Sequence, residues 1–422
     1  MSQQHAGQQV GWSAGEVRGG VVVKRNAAGG GPGAGLGLVL SGGGARAAYQ
    51  VGVLRGLARW LPDLRFDVIT GVSAGAINAI YLAARPGPLA RDVEELKEVW
   101  RRLSLEDVMR VDAASLWRNV ARWGARLVSG GGRLAPPVHG LVDTTPLRRL
   151  LERVIPEDDR GEIAGLVDNV NQGRPGAAAV STLDYATGQT VTWVAGAGAP
   201  SWSRPLRRSA PARLTIDHVL ASAALPILFP AVRLGGHWHG DGGIRQSAPL
   251  SPALHLGARR ILAIPTRHAN SLVEPDPSQA ARYPPPAQIL GQMIDAAFLD
   301  AVDEDAFHLE RSNDFLRALP PGQRHGYHPI DLAVIRPSQD LGRIAAQYEP
   351  RLPRAFRFLT RSLGTRGASN ADFLSLLLFV PEYAERLIAL GEADAEVRLE
   401  DVSRLAGGLR AGAEEIDVAS TH

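Results

Sequence analysis

The chain has 422 residues, 45% of them apolar and 21% charged, ordinary for a globular protein and enough for a sizeable core without staples. It has no cysteine, which excludes disulfides, thiolate metal sites and cysteine nucleophiles. The net charge is only +3, and the 46 basic residues, all arginine except Lys24 and Lys97, are scattered among acids rather than gathered in a patch, so nucleic acid is not an expected partner.

Residues 1–35 are rich in Gly, Gln, Ala and Ser without any period, and read as a disordered tail. Leu36–Leu40 is a short apolar run suited to a buried strand, and Ser41–Gly44 makes a tight loop. A helix is expected next, with Val51, Leu54, Ala58 and Leu61 on one face and Pro62 closing it. Phe66–Thr70 reads as a second buried strand, Gly71–Gly75 as a sharp turn, and Ala76–Ala84 as a helix. Strand, loop, helix, strand, turn, helix is the rhythm of an α/β fold with a parallel sheet covered by helices.

Between Arg91 and Leu127 the pattern is helical, with Trp100, Trp117 and Trp123 among many arginines, a candidate membrane contact whose alternative is core packing. A helix opens at Thr144 or Thr145 with Pro146 at its first position. Ala177–Leu183, Thr190–Val194, Arg259–Pro265 and Asp331–Ile335 read as strands, and Ile216–Ala224 and Ile289–Arg311 as helices. The segment 268–286 is a Pro-rich insertion. From Arg351 the chain is helical, its apolar residues reading as core. The division expected is tail 1–35, a main α/β domain 36–265 and helical extension 266–422. No run approaches the roughly 20 apolar residues that cross a bilayer. The N-terminus also lacks a signal's apolar stretch, so a soluble cytoplasmic protein, at most peripheral at a membrane surface, is expected.

Three motifs carry chemistry. Gly71-Val72-Ser73-Ala74-Gly75 is a Gly-x-Ser-x-Gly between a strand and a helix, where a nucleophilic hydroxyl projects from a strained turn and the helix N-terminus favours an oxyanion. Alone, the pattern also fits a plain tight turn. Gly42-Gly43-Gly44-Ala45-Arg46 lets backbone N–H groups converge, as acyl transfer needs. It also matches a dinucleotide fingerprint, but the second strand ends in the Ser73 turn instead of the acid that would hold a ribose. Asp241-Gly242-Gly243 puts a carboxylate in a turn with little bulk around it. That could be an ordinary hairpin turn, and His237-x-His239-x-Asp241 also has metal-ligand spacing. A serine–histidine–aspartate triad would draw on His218, His237, His239 or His255, none of which stands in a loop that marks it.

Together these motifs resemble those of the patatin-like phospholipases, in order and separation, and Ala221–Pro230 is similar to the segment that precedes the family's aspartate. Ala47 departs from the pattern, where many members carry glycine. The resemblance spans Leu36–Pro265. It implies a three-layer α/β/α fold with a mainly parallel sheet and a lipid acyl hydrolase working through a Ser73–Asp241 dyad without histidine. The oxyanion hole would use Gly42, Gly43, Gly44 and Ala74. Gly71, Gly75, Gly242 and Gly243 would support the turns, and Arg46 would order the glycine loop or meet a phosphate. The substrate implied is a lipid or phospholipid, with no metal or other cofactor. A catalytically silent lipid-binding scaffold and a non-lipid esterase or thioesterase are the alternatives on the same fold.

Overall fold

The computed structural model describes residues 35–85, 87–110, 140–196, 200–268, 301–353 and 372–414, with residues 198, 289, 356 and 357. Nearly all of the expected tail and of the Pro-rich insertion, and both Trp117 and Trp123, lie outside the described residues.

One sheet holds β1 (Gly35–Leu40), β2 (Val68–Val72), β3 (Ala177–Asp184), β4 (Gln189–Ala195), β5 (Ser203–Arg204), β6 (Arg207–Pro211), β7 (Val232–Leu234), β8 (His237–Asp241), β9 (Ala258–Ile264) and β10 (Asp331–Val334). The helices are α1 (Ala48–Trp60), α2 (Ala74–Ala83), α3 (Leu89–Arg102), α4 (Leu105–Val108), α5 (Thr145–Val154), α6 (Leu166–Asn171) and α7 (Ile216–Ser222). They continue with α8 (Ser251–His255), α9 (Ala301–Ala318), α10 (Leu341–Tyr348), α11 (Asp372–Leu377), α12 (Pro381–Val397) and α13 (Leu399–Glu414).

The sheet runs β10-β9-β1-β2-β3-β4-β6-β5. Its first five strands are parallel, and β4 turns antiparallel to β3. β1, β2 and β3 are buried at every position. That is why they read as unbroken apolar runs rather than as alternation: helices cover both faces. Leu36, Leu38 and Leu40 pack with α1, α2, α3 and α12, while Val39 packs with α8 and α9 on the opposite face. The result is the three-layer arrangement expected.

The pairing of β3 explains the position of the site. β4 takes one edge of β3. On the other edge β2 pairs as far as Val72 opposite Ser181, and there β8 takes over with Asp241 opposite Thr182. The residue that follows β2 therefore arrives beside the last residue of β8. Ser73 and Asp241 are far apart in sequence, and this change of partner on one strand edge brings them together.

Residues beyond 265 continue the same sheet and core. β10 adds to the edge beyond β9. α12 crosses α1 closely enough that a Cβ at Gly52 would lie 2.1 Å from the Ile388 carbonyl oxygen, so glycine is needed there. The helix expected to run on from Arg91 instead stops at Arg102, and α4 begins with a Ser104–Asp107 capping box. Trp100 is core rather than membrane contact: it is buried, and its Nε1 donates to Asn78 Oδ1 (2.8 Å). Asn78 in turn donates to Gln50 Oε1 (3.0 Å), and Gln50 donates to the carbonyls of Ser41 (2.9 Å) and Ile264 (3.0 Å). This buried polar chain links α3, α2 and α1 to the ends of β1 and β9, and it is fully satisfied, as such networks must be to rigidify a core.

Candidate active site

Ser73 stands between β2 and α2 with φ 55° and ψ −132°, a backbone conformation that side chains other than glycine's rarely adopt. Such strain costs on the order of 1–3 kcal/mol and persists only where the surroundings impose it. Here they do. The Ser73 N–H donates to Ser222 Oγ (2.9 Å), and Ser222 Oγ donates to the Ser181 carbonyl (2.7 Å), pinning the turn to β3. Gly71 and Gly75 flank it. Gly75 lies so near β1 that a Cβ would be 2.3 Å from the Ser41 carbonyl oxygen.

The glycine loop closes over the same point. A Cβ at Gly42 would sit 2.9 Å from Ser73 Cβ, so the loop and the serine are direct neighbours. Thr266 Oγ1 donates to the Gly42 carbonyl (2.5 Å) and walls the loop at Gly43. Gly44 has φ +54° and lies against the Leu376 carbonyl, where a Cβ would approach to 2.1 Å. Among the described residues, the N–H groups of Gly43, Gly44 and Ala74 donate to no protein acceptor. Ala74 opens α2, whose first N–H groups are free by construction. The Ser73 N–H, by contrast, is already committed to Ser222. Ala47 is helical (φ −66°, ψ −12°), so the departure from glycine there costs nothing.

Arg46 faces away from the site. It is 2% exposed, and its Nε donates to Ser375 Oγ (2.6 Å) while Nη2 donates to Asp372 Oδ1 (2.9 Å) and the Asp372 carbonyl (3.1 Å). Of the two roles expected for it, ordering the loop matches these contacts.

Asp241 is fully buried. Its Oδ1 accepts from the Gly243 N–H (2.8 Å). Gly242 is wedged against β3, where a Cβ would lie 2.3 Å from the Ser181 carbonyl oxygen. Oδ2 is buried without a partner of full hydrogen-bond geometry. Burial pushes the carboxyl up to about 7, and the neighbouring Ser73 hydroxyl and the Gly243 N–H pull it back only in part. Oδ2 therefore remains open to accept a hydrogen bond.

The candidate histidines are engaged elsewhere. His218 caps α7 through Thr215, His237 Nδ1 meets Asp184 Oδ2 (2.9 Å), His239 Nδ1 meets Thr182 Oγ1 (3.0 Å) and His255 Nδ1 donates to the Ser251 carbonyl (2.8 Å). Among the described residues none hydrogen-bonds Ser73 or Asp241. His237, His239 and Asp241 alternate onto one face of β8 as the spacing suggested, but the two imidazoles turn to separate partners on β3, and no group of three metal-binding side chains is present among the described residues.

Ser73 opens into an apolar pocket with about 920 Å³ of atom-free space, its open mouth included. The pocket begins at Gly43, Gly44, Ser73 and Ala74 and runs between α2 (Ile77, Tyr81), α3 (Leu96, Val99, Trp100) and α5 (Leu147, Leu150, Leu151, Val154). Leu225 and Phe229 close one side, and Leu376, Leu377 and Phe379 close another. Among the described residues no charged side chain lines it. Sequence reasoning missed Ser222 and Thr266, whose roles depend on strand neighbours. It also attached no chemistry to the segment holding Asp372 and Leu376, although the wall it forms is plain once α11 is placed.

A strained serine at a strand–helix turn, a glycine loop with free N–H groups and a buried aspartate meet at one point of an α/β/α fold. A family model described as patatin-like phospholipase matches residues 38–254, just over half of the chain, and the protein belongs to that family. Solved structures resemble it distantly. VipD from Legionella pneumophila is 15% identical, with 87% of this chain and 67% of that one covered and a TM-score of 0.34. Human GIVD cytosolic phospholipase A2 is 15% identical, with 89% and 59% covered and a TM-score of 0.41. The type III effector ExoU, from Pseudomonas aeruginosa, is 15% identical, with 87% and 53% covered and a TM-score of 0.34. The chain thus spans little more than half the length of the last two. No curated protein matches it. Among the described residues no helix is long and apolar enough to cross a membrane.

Proposed function

We propose that this protein is a serine acyl hydrolase that cleaves fatty-acyl ester bonds of phospholipids or related lipids through Ser73 and Asp241. The observation that carries the reading is Asp241 itself: a buried carboxyl beside Ser73, with one oxygen fixed by Gly243, the other unpartnered, and a pKa of about 7. An aspartate with the ordinary value near 4 is a weak base. One raised to about 7 is matched to accept a proton near neutral pH.

Ser73 Oγ attacks the ester carbonyl carbon as its proton passes to Asp241 Oδ2. The tetrahedral oxyanion is met by the free N–H groups of Gly43, Gly44 and Ala74. The carbon–oxygen bond to the leaving alcohol breaks, Asp241 returns its proton to that alcohol, and the acyl group stays on Ser73. Water then attacks the acyl carbon and gives a proton to Asp241, the bond to Ser73 Oγ breaks, and Asp241 returns that proton to Oγ as the fatty acid leaves. The uncharged pocket favours an apolar acyl chain and leaves a polar headgroup outside, which suits a substrate presented at a membrane surface.

The test is labelling by a fluorophosphonate together with fatty-acid release from phospholipid vesicles. Wild type should label and release fatty acid, and Ser73→Ala should do neither. Folded wild-type protein that does neither would favour the silent scaffold, and turnover of thioesters or water-soluble esters alone would move the reading away from lipids.

A further inference from the structure

The oxyanion loop is braced from one side by a segment far away in sequence. Arg46 belongs to the single 3-10 turn, Gly44–Ala47, that ends the glycine loop. Its guanidinium is buried, and the acceptors named for it above, Ser375 Oγ and the carboxylate and carbonyl of Asp372, all lie at the start of α11. Ser375 Oγ also donates to the Asp372 carbonyl (2.6 Å), so the three acceptors form one preformed cradle. One turn further along, the Leu376 carbonyl lies against Gly44. The same segment then turns toward the substrate, placing Leu376, Leu377 and Phe379 in the pocket wall.

A buried guanidinium that loses this charge-assisted acceptor is left less well satisfied, so the 3-10 turn would shift to recover a partner. A shift of a few tenths of an ångström at Gly43 and Gly44 is enough to spoil donors that must meet an oxyanion at 2.7–3.1 Å. We propose that Asp372–Phe379 is a working part of this active site, in which Asp372 and Ser375 are positioning residues that set the oxyanion loop through Arg46, while Phe379 limits the acyl chain. This rests on the hydrolase reading above.

The experiment compares wild type with Asp372→Ala, Asp372→Glu, Asp372→Asn, Ser375→Ala and Phe379→Trp, using butanoyl and palmitoyl p-nitrophenyl esters. Rates are expressed per site titrated with fluorophosphonate, so that loss of folded protein does not count as loss of catalysis. Asp372→Ala should lower kcat about 10- to 100-fold on both esters with KM within about twofold, since the interaction lost matters only in the transition state. Asp372→Glu should recover part of this, and Ser375→Ala should lower kcat about 3- to 10-fold. Phe379→Trp should instead raise KM for the palmitoyl ester alone. If Asp372→Ala gives no folded protein, Asp372→Asn and Ser375→Ala decide the matter by the same measure. Wild-type activity with kcat per titrated site within twofold of wild type in both of those variants overturns the positioning role and leaves the hydrolase reading standing. Wild-type protein that neither labels nor turns over either ester overturns both.

Discussion

Two carboxylates stand a short distance apart on the β3–β8 ladder and have been treated in opposite ways. Asp241 lies opposite Thr182, and Asp184 lies opposite His239, two steps along. Neither has accessible surface. Burial raises both carboxyls, yet Asp184 is held down at about 2 because His237, the Ala186 N–H and Thr187 together outweigh that effect. Asp241 has one firm hydrogen bond and is pushed up to about 7. The polar company is therefore what separates them. A carboxylate that serves structure is surrounded by donors, and the one proposed to take up a proton is left short of them. His239, Trp193 and Thr182 fill the space behind the pair, with Trp193 Nε1 donating to Thr182 Oγ1 (2.8 Å), so the ladder itself is firmly held.

The largest effect should follow from removing the under-partnered group. Asp241→Asn should lower kcat about 10²- to 10⁴-fold, the range for loss of a general base, as measured by fatty-acid release at saturating substrate. Wild-type kcat should rise with pH through about 7 as Asp241 loses its proton. The stability consequence runs the other way. Its folded pKa is raised, so between about pH 4 and pH 7 the folded state holds a proton that the unfolded state has released, and stability falls as pH climbs through that window. The span corresponds to at most about 4 kcal/mol. Asp241→Asn should remove this slope, so that denaturant unfolding at pH 8 finds the inactive variant more stable than wild type. Equal stability at pH 8 would mean that the carboxylate carries no such penalty.

The strand order around Ser73 was legible because β1, β2 and β3 are buried on both faces, and full burial writes itself as short apolar runs bounded by glycine. The glycine loop, the Ser73 turn and the aspartate were legible because backbone strain and close approach admit few residue types. What lay beyond sequence was partnership at long range. β5, β6 and the β7–β8 hairpin carry polar or mixed residues on partly exposed strands, where periodicity fades. Trp100 sits in an arginine-rich stretch that fits either a membrane contact or core packing, and its burial and Asn78 contact show it to be core. Asp184 and Asp241 look alike as letters. Their difference is set by His237 and Gly243, neighbours that a strand pairing and a turn supply.

The smaller effects test the well-partnered member. The folded pKa of Asp184 is depressed, so its contribution is present above about pH 4 and is lost as pH falls toward about 2. Asp184→Asn should therefore cost about 1–2 kcal/mol at pH 7, discounted because its partner His237 is half exposed, and almost nothing at pH 2. Its kcat should fall less than tenfold, because the β8 register is also held by the β7 pairing. His237→Ala should cost less still, below about 1 kcal/mol, since the Ala186 N–H and Thr187 continue to hold the carboxylate. Denaturant unfolding at pH 7 ranks the two. A loss for His237→Ala as large as that for Asp184→Asn would show that the imidazole is the dominant partner. It would also extend the contrast with Asp241, because a single removable donor would then separate a structural carboxylate from a basic one.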